Sequence, residues 1–287
     1  MTAPNRVPVA LTIAGSDSGG GAGIQADLHT FAALGVHGTS ALTCLTAQNP
    51  REVKAVHSVS AAFLRQQLEA VFAELPPAAL KTGMLYSRLL IQEVAEFLVS
   101  LKRRPPLVVD PVMLATSGAA LLRPEAVRAL QERLLPLAQV ITPNAPEAAA
   151  LSGRTVQSVE DLRAVARVLH ARHGCAVLLK GGHLRGLKVA VDVLWDGRSE
   201  WLLEAPRVPR VSTHGTGCTY SAAITAGLAQ GLPLVEAVGQ AKQFITQAIA
   251  QSRRVGRHQA LHWLAAARPA RPRAARCGCS GAACQCA

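Results

Sequence analysis

The segment His214-Gly215-Thr216-Gly217-Cys218-Thr219 stands directly ahead of a run of small residues, Ser221-Ala-Ala-Ile-Thr-Ala-Gly227, that has helical character. Glycines let backbone amides approach a ligand closely, and a helix start adds positive potential, so the segment suits an anionic γ-phosphoryl group. Cys218 falls in the first turn, where a thiol pKa can be lowered, which makes it a candidate proton acceptor for a hydroxyl. The plainer alternative is a small buried cysteine packing the helix. Phosphoryl transfer also needs cations for phosphate charge and carboxylates to hold Mg²⁺. Lys180, Asp110 and Glu147 supply those types, although each alone could belong to an ordinary ion pair on the rim.

A second glycine-rich segment, Gly15-Ser-Asp-Ser-Gly-Gly-Gly-Ala-Gly23, leads into a helix with Gln25 and Asp27. Its amides can face a polar ligand at the helix start. The segment departs from a P-loop, because Gly21 stands where that motif has lysine. Gly21-Ala-Gly23-Ile-Gln-Ala26 imitates a dinucleotide fingerprint, but after the adjoining Asp27 no acid follows until Glu52, so a nucleotide-dependent oxidoreductase is only a distant alternative.

These residues need a scaffold, and the chain's pattern supplies one. Short apolar runs alternate with longer helical patterns, the signature of repeated βαβ units. Strands are expected near 10–13, 40–46, 79–81, 107–109, 140–141 and 177–179. Helices are expected over 23–34, 61–74, 87–101, 124–135, 159–173, 218–229 and 234–251. Between Val189 and Leu202 two alternating stretches flank Trp195-Asp196-Gly197-Arg198, which predicts an antiparallel hairpin. Polar residues gather after the strands: Gly15-Ser16-Asp17, Gln48-Asn49, Lys81-Thr82-Gly83, Asp110, Asn144 with Glu147, and Lys180-Gly181-Gly182. Loops are polar in any case, but six strand ends of one character point to a shared ligand edge.

Composition agrees with an α/β class. Of 287 residues 49% are hydrophobic but only 3% aromatic, so the core must be packed from Leu, Val, Ile and Ala. The formal charge of +12 is largely a tail property: seven arginines and no acid lie from Gln251 onward, leaving 23 basic against 18 acidic residues before it. With few aromatic platforms for bases, nucleic acid is not expected as a partner. The apolar start at Val7–Ala14 is too short for a membrane span, and a reduced cytoplasm is the expected location. Cys277, Cys279, Cys284 and Cys286 crowd the last eleven residues. Their spacing is no recognised zinc motif, so residues 268–287 are expected to form an unpacked tail after a single domain over 1–267.

Taken together, Gly15–Asp27, Thr46-Ala-Gln48-Asn49, Lys81-Thr-Gly-Met84, Val108-Val-Asp-Pro-Val-Met113, Thr142-Pro-Asn-Ala-Pro-Glu147, Leu179-Lys-Gly-Gly-His183 and the Cys218 segment resemble the hydroxymethylpyrimidine/phosphomethylpyrimidine kinases of thiamine biosynthesis. The resemblance runs from about Val9 to Gln251. It implies a ribokinase-like three-layer sandwich and two ATP- and Mg²⁺-dependent phosphorylations, of a hydroxymethylpyrimidine and then of its monophosphate. It also implies that Gly15, Asp27, Gln48, Met84 and Val112 contact the pyrimidine. Asp110, Asn144 and Lys180 would meet ATP, and Asp110 and Glu147 the metal. The amides of Gly215, Thr216 and Gly217 would form an anion hole beside Cys218, with Lys180 joining the catalytic set. Many sugar kinases of the superfamily have Asp where Cys218 stands, as a base for the substrate hydroxyl. Pyridoxal or pyridoxine kinase activity is the alternative within the class, and a homodimer is the expected assembly.

Overall fold

The computed structural model describes residues 6–113, 122, 124–182, 184, 186–208 and 214–267. The four terminal cysteines, the rest of the expected tail and His183 lie outside the described residues.

The first nine strands form one sheet: β1 (Val9–Asp17), β2 (His37–Asn49), β3 (Glu52–Ser58), β4 (Ala79–Thr82), β5 (Leu107–Val109), β6 (Val140–Ile141), β7 (Ala176–Lys180), β8 (Val189–Trp195) and β9 (Glu200–Pro206). Their order is β3-β2-β1-β4-β5-β6-β7-β8-β9. The six strands from β2 to β7 run parallel, and antiparallel strands extend both ends. The helices are α1 (Gly23–Ala33), α2 (Ala61–Glu74), α3 (Arg88–Ser100), α4 (Pro124–Ala129), α5 (Ala145–Ser152), α6 (Val159–His173), α7 (Thr216–Ala229), α8 (Leu234–Ala250) and α9 (Trp263–Ala266). A separate small hairpin pairs β10 (Arg253–Val255) with β11 (His258–Ala260).

Strand periodicity explains the three layers. Successive side chains leave opposite faces of a strand. Leu11, Ile13, Val109, Ile141, Val177 and Leu179 pack with α2, α3, α5 and α6, whereas Ala10, Val108, Val140, Ala176 and Leu178 pack with α1, α7 and α8. Both faces of the central strands are thus buried, as a continuous apolar run in a parallel sheet requires. Caps fix the helix starts. Ser60, Ser87 and Ser158 each accept a backbone N–H at the start of α2, α3 and α6, and Asp161 completes a capping box at the last.

The expected hairpin is present as β8 and β9, and it joins the sheet beside β7. Besides the unexpected β10–β11 hairpin and α9, four features depart from expectation. β1 runs through Gly15-Ser16-Asp17 and β2 through Gln48-Asn49, so these residues are strand, not loop. β3 was not anticipated because it is a half-solvated edge without an apolar run. The helix expected over 124–135 is α4 followed by a wider turn over Leu130–Leu134 and a tight one over Leu135–Leu137, where Pro136 cannot donate an amide. α5 was also missed, although Asn144 and Glu147 form its capping box.

The chain leaves β1 toward β2 on one side and later places β4 on the other, so the strand order reverses between β1 and β4. In open parallel sheets the crevice outside such a point is where ligands bind.

Candidate functional site

A cavity of about 510 Å³ opens at this edge. Gly15, Gln48, Met84, Val112, Asp110, Asn144, Glu147, Lys180, Gly215, Thr216, Gly217 and Cys218 all line it. Of the residues expected at the site, Asp27 alone is off the wall. It is wholly buried beneath, with both carboxylate oxygens 2.6 and 2.7 Å from Lys81 Nζ and a further bond of 2.6 Å from Thr12 Oγ1. The expectation of a direct contact between Asp27 and a ligand is therefore corrected. Lys81, which the sequence placed at the ligand edge without a role of its own, lines the cavity in its place. Its signal was visible: a lysine inside the four-residue buried strand β4 needs a buried counter-charge.

At one end of the cavity, the Gly15 amide donates to the Met84 carbonyl at 3.1 Å, and Thr43 Oγ1 donates to the same oxygen at 2.7 Å. Gln48 is held from two sides. Its amide bonds the Ser18 hydroxyl at 2.8 Å, and Thr46 Oγ1 donates to its side-chain Oε1 at 3.1 Å. The result is an oriented carboxamide beside the Met84 thioether and Val112, a combination of polar edge and apolar wall that suits a small heteroaromatic ring.

The glycine loop between β1 and α1 is organised by Asp17. This buried carboxylate accepts from the amides of Gly19, Gly21 and Ala22 at 2.8, 3.1 and 2.9 Å, and its Oδ2 lies 3.0 Å from His214 Nε2. Burial would raise the Asp17 carboxyl, but these hydrogen bonds outweigh it and hold the group below its ordinary value. Through His214 the loop is tied to the start of α7. Gly215 takes φ +79° there, and a Cβ on it would stand 1.8 Å from the Gly21 carbonyl oxygen, so only glycine fits.

At the other end, the N-cap and first turn of α7 line the cavity. Lys180 Nζ lies 2.9 Å from Asp110 Oδ1, which also accepts from Thr142 Oγ1 at 2.9 Å, while Ser221 Oγ approaches Oδ2 at 3.3 Å. Burial would depress the Lys180 ammonium, but Asp110 and then Glu147 outweigh it and raise its pKa. Burial would likewise raise Asp110, yet Lys180 and Lys81 together hold it low. Glu147 differs: burial pushes its carboxyl to about 7, with Lys180 opposing and Asp110 adding repulsion. Asn144 Oδ1 accepts the Glu147 amide at 2.9 Å, and Glu147 Oε2 accepts the Asn144 amide at 2.8 Å, so the capping box orients both residues on the wall.

Cys218 does not have the lowered pKa expected of a helix start. The residue is only partly covered, but its thiol is desolvated and pushed up to about 11; Lys81 is the strongest opposing charge, and Asp27 and Asp110 add repulsion.

The cavity continues past Lys180 into a lobe that sequence reasoning did not identify. Ala190, Ala205, Ile245 and Ile249 give it apolar walls, and Asp192, Arg207 and Lys242 give it charge. Lys242 Nζ lies 2.6 Å from Asp192 Oδ2, and Asp192 Oδ1 accepts the Gly181 amide at 3.0 Å. The signal was faint, since one residue comes from the hairpin and the other from the buried face of α8.

Among the described residues no group of three or more His, Cys, Asp and Glu side chains gathers as a metal cage. Mg²⁺ commonly uses one or two carboxylates with waters and substrate phosphates, so a donor set of Asp110 and Glu147 fits that ion without a cage. The raised Glu147 points the same way, because a carboxylate repelled by Asp110 in a buried site is one that a divalent cation would stabilise. No helix among the described residues is long and apolar enough to cross a membrane.

A family model described as phosphomethylpyrimidine kinase matches residues 17–262. The chain belongs to this family. As a phosphomethylpyrimidine kinase family member it is a phosphotransferase with a ribokinase-like fold. It is 52% identical over 248 residues to a hydroxymethylpyrimidine/phosphomethylpyrimidine kinase of Rhizobium meliloti, covering 86% of the chain and 92% of that protein. It is 49% identical over 264 residues to the thiamine biosynthesis bifunctional protein ThiED of Geobacter sulfurreducens. That match covers 92% of the chain, which spans only 54% of the bifunctional protein. Among solved structures, an ADP complex of Bacillus subtilis pyridoxal kinase superposes with a TM-score of 0.82 at 40% identity, over 91% of this chain and 98% of that one.

Proposed function

We propose that the chain transfers the γ-phosphoryl group of ATP to the hydroxymethyl group of 4-amino-5-hydroxymethyl-2-methylpyrimidine, and then phosphorylates the resulting monophosphate to the diphosphate. The observation that carries this reading is one cavity that joins an oriented carboxamide and thioether, Gln48 and Met84, to a helix start faced by Lys180. Identity favours the pyrimidine: 52% to the Rhizobium meliloti kinase against 40% to the Bacillus subtilis pyridoxal kinase.

Each residue has a physical task in this reading. Gln48 pairs its carboxamide with the ring nitrogen and amino group, while Gly15, Met84 and Val112 shape the pocket around the ring. The amides at Gly215, Thr216 and Gly217 meet the transferring group with fixed dipoles in a partly dry site, where such donors contribute most. Lys180 places a permanent cation on the phosphates, and Asn144 joins it and Asp110 on the ATP side. Asp110 and Glu147 would hold Mg²⁺, which neutralises charge on the phosphate oxygens. Cys218 stands at the hydroxyl, whose proton only its thiolate form accepts. With the thiol protonated at rest, positioning and the anion hole supply most of the catalysis. A cytoplasmic homodimer is the proposed setting.

The decisive experiment is an ATP-consumption assay of the purified chain with the pyrimidine alcohol, its monophosphate and pyridoxal in parallel. The reading expects both pyrimidines to be turned over with higher kcat/KM than pyridoxal, and Gln48→Ala to raise the pyrimidine KM with little loss of kcat. Preference for pyridoxal would overturn it.

A further inference from the structure

Among the described residues, three of the four lysines and arginines on the cavity wall are paired with carboxylates. Lys180 has Asp110, Lys242 has Asp192, and Lys81 has Asp27. Among the described residues, Arg207 is the lysine or arginine of the wall with no carboxylate at ion-pair distance. It stands just past the end of β9, and its donors go to backbone carbonyls instead. Nε donates to the Leu187 oxygen at 3.0 Å, Nη1 to the Gly182 oxygen at 2.7 Å and Nη2 to the Leu184 oxygen at 2.5 Å. The carbonyls belong to the connection between β7 and β8, which begins directly after Lys180.

We propose that Arg207 is a phosphate-binding and loop-positioning residue of the nucleotide lobe, clasping the segment after Lys180 by three carbonyls while presenting its uncompensated charge to the polyphosphate of ATP. This rests on the kinase reading above and deepens it. Three neutral acceptors fix the guanidinium in place but leave its full positive charge. A guanidinium has five N–H donors, so two remain for a ligand. Its fork matches phosphate geometry, and a planar cation held in advance loses little freedom on binding. Lys180 cannot fill this role alone, because Asp110 already neutralises much of its charge. Gly182, one of the clasped residues, lines the same cavity, so the clasp and the ligand surface are continuous.

Isothermal titration of the full chain with ATP, adenosine and the pyrimidine alcohol tests this, alongside turnover of the unmutated chain. Arg207→Gln is expected to weaken ATP binding at least about tenfold, the effect of losing one charge-assisted contact, with adenosine and the pyrimidine changed less than about twofold. Arg207→Lys keeps a cation but cannot span three carbonyls. It is expected to retain most ATP affinity while the amides of Leu184, Gly186 and Leu187 exchange hydrogen faster. Equal losses for ATP and adenosine would reduce Arg207 to a structural clasp and overturn the proposal, as would unchanged ATP affinity. If Arg207→Gln fails to fold, the lysine variant decides: ATP affinity falling in step with adenosine affinity rejects phosphate binding. Absence of any turnover by the unmutated chain would instead count against the kinase reading.

Discussion

A Cβ on Gly217 would stand 3.3 Å from Lys180 Nζ and 3.7 Å from Asp110 Oδ2. The start of α7 and the lysine–aspartate pair therefore share an opening whose width depends on a missing side chain. Gly217→Ala adds a methyl at the place where the transferring group is proposed to pass. Alanine is at least as good as glycine in a helix, so the melting temperature should hold or rise slightly. Turnover should fall by about a hundredfold, the scale of a misplacement near 1 Å at a reacting centre. Steady-state kinetics with a thermal melt check both, and an unchanged kcat would move the reaction away from this opening.

The thiol of Cys218 gives a pH test. Held at about 11 by burial, it is almost wholly protonated at neutral pH, and its thiolate fraction should climb about tenfold per pH unit toward that value. Iodoacetamide alkylation of Cys218, followed by peptide mass spectrometry in ligand-free protein, should track that slope from pH 7 to 10. A plateau near pH 8 would contradict the raised value. Cys218→Ala should lower kcat by no more than about tenfold at pH 7, less than the hundredfold or more of a poised proton acceptor, leave pyrimidine affinity nearly unchanged, and cost more as pH rises and the thiolate populates.

The strand ends carried the site because the rule that places ligands at carboxyl edges needs only strand positions, and apolar runs such as Leu107–Val109 mark those clearly. Asp110 and Lys180 were legible for that reason, and Gly217 because a glycine motif directly precedes a helical run of small residues. Asp27 was misplaced because its position one turn into α1 is compatible with facing either the cavity or the sheet; only the packed structure aims it at Lys81. The lobe past Lys180 was hidden because Asp192 and Lys242 are far apart in sequence and meet only when the β8–β9 hairpin packs by α8. Edge strand β3 was missed because half-solvated strands lack the apolar run that announces a buried one.

The buried pair beneath the site makes a prediction about stability. Lys81 and Asp27 are both wholly covered, so removing one partner strands a charge in the interior. Lys81→Met alone should cost about 3–5 kcal/mol in urea denaturation. The double variant with Asp27→Leu should recover most of that loss, because no uncompensated charge remains. If the double variant is as unstable as the single one, Lys81 acts through packing and not through its charge.

The Asp17–His214 contact links the two glycine segments, and its pH dependence follows from the depressed carboxyl of Asp17. A carboxylate whose folded pKa lies below its unfolded value of about 3.9 contributes stability that is fully present above that value. The contribution is lost as pH falls through the lower, folded pKa. Asp17→Asn keeps the shape but removes the charge that three amides and the histidine meet, so it should cost about 2 kcal/mol at pH 7, the scale of a charged hydrogen-bonding group. The difference between the two proteins should stay constant from pH 7 to about pH 5 and then narrow on further acidification, because protonation of Asp17 makes the unmutated chain resemble the variant. Urea midpoints at pH 7, 5 and 3 measure this. A gap that does not narrow at pH 3 would mean that the carboxylate's charge does not hold the loop, leaving shape alone to explain the conformation of the glycine segment.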